Sequence, residues 1–523
     1  MGETYTARPA RRQGAPKKPA SPKPAEKTDK RPASRPRRPS ERKPADKETE
    51  KKPARYKKAE PVQKPTVQAK KNTAPPKRRK QENPAAERQN KKIQKARKLD
   101  AAIALDRKRA VSRSGGPAVA AIALLTALFE ILGLMLCAFK SEGTMDHQAL
   151  FLALTLAPLG LCSSLLFPRF LHIDALVMAL TNFLCGVGIV VLYTVLPYYG
   201  VRQASFYLVG LLFMVVMSEM VFRIKRFRGL TWLAVFLGIG ALILPLVFGE
   251  WQFGAKNWVK IPGLGSFQPS ELVKLSLILV LAYYFSAHRT IFQMMPALIF
   301  AAACLLLLML QRDLGTALIY YLTTLVLFYV ACGNVPLTLI GAGGGIGAAM
   351  LGYKMFAHVK VRVAMWRNPW SDPTNKGYQI IQALLAIGSG GLFGVGLGQG
   401  TPEKIPAYYT DFIFAVICEQ LGQVFGVLLL VVYVLLILRG VTVVSRARRS
   451  FSMLLGCGVL TMLGIQTFMI VAGVIKLIPL TGVTMPFLSY GGSSLLSCMA
   501  MIGILHGASA RAQDYLEEDI FGT

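Results

Sequence analysis

Four clusters of polar residues lie inside or at the edge of strongly apolar stretches. An ionisable side chain is costly there and is therefore a candidate for function. The first is T-D-F-I-F-A-V-I-C-E-Q-L-G, residues 410–422. Asp411 opens an apolar run and Glu419 follows eight residues on, about two helical turns, so the two carboxylates should face roughly the same way. A carboxylate at the mouth of a cavity can serve as a general base, because partial desolvation raises its pKa toward neutrality. The competing reading is a helix N-cap, since Asp and Thr favour helix starts and a negative charge suits the dipole there. Spacing leaves the two readings level.

The second cluster is F-Q-P-S-E-L-V-K, residues 267–274. Pro269 suits a first helical turn. Glu271 and Lys274, at i,i+3, can pair. They either neutralise each other or, with Gln268 and Ser270, line a polar cavity. The third is Q-R-D-L-G-T, residues 311–316, where Asp313 opens an apolar span as cap or as site. The fourth is P-F-L-S-Y-G-G-S-S, residues 486–494, around Ser489. Its small residues favour close helix packing. None of these is a Walker loop, a Rossmann fingerprint, an HExxH or a nucleophile elbow. The eight cysteines fall in or beside apolar segments without a C-x-x-C pair, as expected for small apolar residues in packed helices.

The elements that must hold these clusters follow from hydropathy. A span needs about 20 mainly apolar residues. Twelve candidates occur, near 117–139, 148–167, 174–197, 203–222, 230–248, 270–287, 291–310, 314–332, 335–354, 411–438, 452–476 and 485–507. The expected fold is an all-α polytopic membrane protein. No cleavable leader is visible, so the first span is expected to direct insertion itself.

Residues 1–113 hold 37 of the 61 Lys and Arg but 12 of the 28 Asp and Glu, which is +25 of the total charge of +33. With few large apolar side chains, this arm is expected to be disordered. Anionic lipid at the cytoplasmic face is its expected contact. A protein partner is a lesser alternative, and the scarcity of interleaved aromatic residues argues against nucleic acid. Positive residues favour the cytoplasmic side. With the arm inside, Arg223, Lys225, Arg226 and Arg228 fall inside, as do Arg439, Arg446, Arg448 and Arg449. An even number of spans then returns the C-terminus to the cytoplasm.

The segment from 355 to 410 breaks that pattern. It carries Lys360, Arg362, Arg367, Lys376 and Lys404 on the outer side against Asp372 and Glu403. Cations against the usual bias suggest an anion to hold, and phosphate or pyrophosphate suits Arg and Lys. A randomly basic loop is the bland alternative. Within it, Ile380 to Leu397 reads as a short amphipathic helix and a Gly-rich turn resting on the membrane surface.

These stretches together resemble the SEDS family (shape, elongation, division and sporulation), which includes FtsW, RodA and SpoVE. The resemblance runs from about residue 172 to the C-terminus. It rests on NWVKIPGLGSFQPSELVK, QRDLGTA, RNPWSDPTNKGYQIIQALLAIGSGGLFGVGLGQG, TDFIFAVICEQLG and GVTMPFLSYGGSS. It implies a ten-span core at 172–510 with the large extracellular loop 355–410. Two extra spans at 114–171 and a cytoplasmic tail at 511–523 would lie outside that core. It further implies polymerisation of lipid II on the outer face, beside a class B penicillin-binding transpeptidase, with a divalent cation, magnesium or manganese, as a conceivable cofactor. Asp411 is the catalytic residue so implied. Trp258, Glu271, Lys274 and Arg362 are the substrate-binding residues it implies, and Gln268, Ser270, Asp313, Lys360, Glu419 and Ser489, from the polar clusters and the basic loop, complete the expected substrate-binding set. A lipid-linked sugar flippase or a silent scaffold for a transpeptidase are the rival functions. Arg312, Ile470 and Lys476 depart from the family pattern.

Overall fold

The computed structural model describes residues 116–521, apart from short segments at 140–144, 172, 225, 253–254, 262–264, 288–289, 446 and 448–449, with side chains described to Ala510. The basic arm lies outside the described residues, as do Lys225, Arg446, Arg448 and Arg449 of the orientation argument.

Among the described residues twelve helices are long and apolar enough to cross a membrane. They are α1 (Gly116–Ala138), α2 (His147–Phe170), α3 (Ala175–Val195), α4 (Pro197–Arg223), α5 (Arg228–Phe248), α6 (Pro269–Ala287), α7 (Ile291–Leu310), α8 (Leu314–Cys332) and α9 (Val335–Met355). Two shorter helices follow, α10 (Ala357–Arg367) and α11 (Tyr378–Gly390). The last three spans are α12 (Ile413–Val444), α13 (Ser450–Val474) and α14 (Gly492–Phe521). In hydrocarbon every backbone group must be satisfied within the segment, which makes helices of these apolar runs. The ends are set by side chains that take orphan amides: Asp146 accepts from Gln148 N at 3.0 Å, Asp174 from Val177 N at 3.1 Å and Asn334 from Leu337 N at 3.0 Å. Pro197 sits in the first turn of α4, and Gly333 closes α8 in the left-handed region.

The helices α3, α13 and α14 are the most enclosed, whereas α9 has no buried residue. Glycines let α14 lie close on α4: a Cβ at Gly503 would strike the Met214 carbonyl, and one at Gly507 the Ser218 carbonyl.

The all-α expectation needs one amendment. Between α5 and α6 the chain forms a small antiparallel sheet of β1 (Glu250–Gln252), β2 (Ala255–Ile261) and β3 (Gly265–Phe267) in the order β1-β2-β3. Glu250 pairs with Trp258 and Val259 with Phe267. Strands this short carry too little alternation to be read from sequence.

The stretch from 391 to 424 also departs from expectation. The helix α12 is broken at Gly422, with φ 88° and ψ 165°. The turn after α11 fills the break: Val395 N donates to Glu419 O at 2.9 Å and Gly396 N to Gln420 O at 3.0 Å. In return Gln423 N donates to Gly391 O at 3.0 Å and Val424 N to Leu392 O at 3.2 Å. Gly394 and Gly422 both have positive φ, and an added Cβ at either would collide with the facing backbone. The turn therefore pairs with α12 about 14 Å along from its start, at 1.5 Å per residue. The segment expected as a tail continues α14 as helix to Phe521.

Candidate functional site

Asp411 lies in the turn before α12. The N-cap of α12 is Phe412, without a side-chain hydrogen bond. The carboxylate is thus not used for capping, and it lies outside the helical register that would align it with Glu419. Its backbone is fixed from the turn preceding α14. Ser489 Oγ donates to Thr410 O at 2.6 Å and accepts from Met485 N at 2.8 Å. Tyr490 N donates to Tyr409 O at 2.8 Å. Gln203 Nε2 in turn holds Ser489 O at 3.0 Å. The Tyr199 ring stacks on Tyr409 at 4.4 Å and meets Tyr490 at 4.6 Å. Two polar motifs far apart in sequence are interlaced by these bonds, in which the Ser489 hydroxyl both donates and accepts.

Arg362 reaches this turn from α10. Its Nη1 donates to Thr481 O at 3.0 Å. Gly482 follows, at φ +71°, and a Cβ there would lie 3.5 Å from Asp411 Oδ2 and 3.6 Å from Arg362 Nη2. Carboxylate and guanidinium therefore flank one glycine, with space between them that a side chain would fill. Burial pushes the Asp411 carboxyl up from 3.8 to about 6; Arg362 and a Thr410 hydrogen bond oppose the rise, and Asp313 adds to it.

The other candidates divide between support and surface. Asp313 caps α8 through Thr316 N at 3.2 Å, and its Oδ2 accepts from Asn257 Nδ2 at 2.8 Å and Gln268 Nε2 at 3.1 Å. It ties the sheet and the start of α6 to α8. Side chains alternate along a strand, so Trp258 projects to the opposite face from Asn257. Lys274 is buried, pairs with Glu271 Oε2 at 2.8 Å and donates to Gln466 Oε1 at 2.8 Å. Gln466 Nε2 continues to Thr484 O at 2.8 Å, and Thr484 and Ser494 hydroxyls lie 2.7 Å apart. This polar chain ends two residues from Gly482. Ser270 gives its carbonyl to Tyr320 at 2.7 Å, while its buried Oγ has no partner. Lys360 is exposed on α10, two residues from Arg362 and so on another face of that helix. Glu419 Oε1 accepts from Thr401 N at 3.1 Å and supports the Gly-rich turn.

Two residues near the site were not singled out. His358 is one turn before Arg362, and its buried Nε2 has no hydrogen-bond partner. Burial lowers its pKa, and Arg362 and Arg312 lower it further. Its i,i+4 spacing from Arg362 was the available signal. Thr481 Oγ1 is likewise buried without a partner. Arg312, noted as a departure, has φ +62° and lies 4.9 Å over the Trp251 ring. Among the described residues no group of three or more His, Cys, Asp or Glu could hold a metal ion.

Residues 166–514 match the family model described as cell cycle protein, FtsW/RodA/SpoVE. The peptidoglycan glycosyltransferase RodA of Mycobacterium tuberculosis strain H37Rv is 38% identical over 294 residues, which cover 52% of this chain and 62% of that one. The chain thus spans less than two thirds of that relative's length. Stage V sporulation protein E of Bacillus subtilis strain 168 is 33% identical over 363 residues, 64% of this chain and 96% of the relative. A solved chain described under "Structural coordination of polymerization and crosslinking by a peptidoglycan synthase complex" superposes with a TM-score of 0.54 at 26% identity, covering 64% of this chain and 97% of that one. With five motifs in order and the family model matched over most of the spanning helices, the chain belongs to the FtsW/RodA/SpoVE family.

Proposed function

We propose that this chain is a peptidoglycan glycosyltransferase that polymerises lipid II on the outer face of the cytoplasmic membrane, with both termini inside. The observation that carries the reading is Asp411: uncapped, fixed by its neighbours' backbone, raised to about 6 and set across Gly482 from Arg362. A base of that pKa is largely ionised at neutral pH and still a useful proton acceptor.

In the reaction Asp411 accepts the proton of a GlcNAc 4-hydroxyl. That oxygen bonds to C1 of a MurNAc on the second substrate, with inversion, as the C1–O bond to undecaprenyl pyrophosphate breaks and the electron pair leaves with the phosphate. Arg362 stabilises the developing charge. Exposed Lys360 can meet the outer phosphate, whereas Lys274 acts through the buried Glu271–Gln466–Thr484 chain that supports Gly482. Trp258, Gln268, Ser270, Asp313, Glu419 and Ser489 shape and brace the site. Magnesium or manganese would find in Asp411 a single protein carboxylate and would supply positive charge toward the departing pyrophosphate. A class B penicillin-binding transpeptidase is the proposed partner, supported by the solved chain described from a complex that couples polymerization and crosslinking, and anionic lipid is the proposed contact of the arm.

The test is glycan polymerisation from lipid II by purified protein with its co-purifying transpeptidase. Wild type should make polymer and Asp411→Asn none, with insertion and folding unchanged. An active Asn variant would remove Asp411 from its role. A folded but inactive wild type would favour a flippase or a scaffold.

A further inference from the structure

Outside the family match, α1 and most of α2 form a pair packed on α3, and Glu130 of α1 is the exceptional residue of that contact. It is 2% exposed at the middle of a membrane span. Its Oε2 has no hydrogen-bond partner, and it enters no ion pair among the described residues. The carboxyl lies in a slot made by two glycines: a Cβ at Gly186 of α3 would strike it, and one at Gly160 of α2 would lie 3.8 Å from Oε2. The polar groups around it are already committed. Asn182 Nδ2 donates to Gly160 O at 3.1 Å and to Ser163 and Ser164 Oγ at 2.8 Å each, and Asn182 Oδ1 accepts from Tyr207 at 2.8 Å. Cys185 and Tyr207 are the titratable neighbours on α3 and α4, and neither is a cation. An unpaired carboxylate in hydrocarbon is prohibitive, so the group that fits is the neutral acid.

The same face of α1 touches the broken part of α12. Phe129 stacks on Phe425 at 6.0 Å, three residues beyond the break at Gly422. A Cβ at Gly133 would lie 3.3 Å from Leu397 Cδ2 in the Gly-rich turn. Thr194, at the end of α3, donates to Gln420 Oε1 at 3.0 Å, and a Cβ at Gly398 would lie 3.7 Å from it. The buried positions of α1, Val119, Ala123, Thr126, Ala127, Glu130, Gly133, Leu134 and Ala138, form one helical stripe, and half-buried Phe129 flanks it one turn before Gly133.

We propose that α1 and α2 form an accessory clamp, keyed to the core by a neutral Glu130, that holds the turn 391–401 in the break of α12. Glu130 is a positioning residue: it touches nothing near Asp411 and acts through Phe129, Phe425 and Leu397.

Hydrogen exchange of the full chain in lipid nanodiscs, read by mass spectrometry without substrate, tests this independently of the glycosyltransferase reading. Glu130→Gln, neutral and of the same shape, should exchange as wild type. Glu130→Leu should speed exchange at 391–401 and 419–424 by about tenfold with the remaining spans unchanged, as a local opening does. Phe129→Ala, which leaves the carboxyl in place, should do the same, and it carries the test if the Leu variant does not insert. Unchanged exchange at those segments in both variants overturns the clamp, and so does faster exchange spread over every helix. Exchange in Glu130→Gln as fast as in Glu130→Leu overturns the neutral acid.

Discussion

The Asp411 carboxyl is pulled two ways, and the pull from Arg362 can be read in a pH profile. Burial raises the group from 3.8 to about 6 while Arg362 holds it down. A nearby opposite charge lowers a carboxyl pKa by roughly 1–3 units, so Arg362→Ala should move Asp411 to about 7 or higher. If Asp411 is the base, the acid limb of kcat/KM follows it. In the wild type the base is about 91% ionised one unit above its pKa and about 9% one unit below, so the rate should drop roughly tenfold between pH 7 and pH 5. In the variant the same drop should lie at least about one unit more alkaline. The assay is the initial rate of polymerisation of fluorescent lipid II from about pH 5 to about pH 9, at substrate below KM. Removing Arg362 also lowers the plateau, through lost stabilisation of the leaving group, but the position of the limb is independent of the plateau. Coincident limbs in the two proteins would refute electrostatic coupling across Gly482. A wild-type limb near 4 would refute the buried base.

Asp411→Asn should raise the melting temperature at neutral pH by a few degrees: a folded pKa above the unfolded value means that stability falls as pH climbs from about 4 to about 6, and the amide removes that penalty. Gly482→Ala should cost roughly 1–2 kcal/mol for the left-handed backbone and reduce polymerisation at least about tenfold, measured by melting and by rate, because its methyl enters the gap between Asp411 and Arg362. Lys274→Met should destabilise by about 3–5 kcal/mol by stranding Glu271, and adding Glu271→Gln should recover much of that, as a double-mutant cycle on melting would show. Ser489→Ala should cost about 1–3 kcal/mol by orphaning Met485 N and Thr410 O, with a fall in rate and an unshifted acid limb.

Much of this architecture was legible in the sequence because lipid makes a long apolar run declare itself: all twelve spans were placed by hydropathy. The edges failed where polar and apolar residues share a turn. The span expected from 485 begins at Gly492, since Met485 to Ser489 are held in a turn by the Ser489 hydroxyl. The alignment of Asp411 with Glu419 failed because the helix starts at Ile413, two residues after the aspartate. Asp411 and Arg362 could be named separately, but their meeting at Gly482 depends on three segments that no local pattern connects. The sheet at 250–267 escaped because its strands are too short to show alternation, and the break at Gly422 because it is defined by hydrogen bonds to a turn more than twenty residues earlier.

The break in α12 also imposes an order of assembly. The residues from 391 to 400 leave the ribosome before those of α12, yet the amides of Val395 and Gly396 have no acceptor until the Glu419 and Gln420 carbonyls exist beside them. The turn can therefore take up its bonded form only once α12 has been made, so this part of the fold closes backward along the chain, a segment already synthesised being fixed by one made after it.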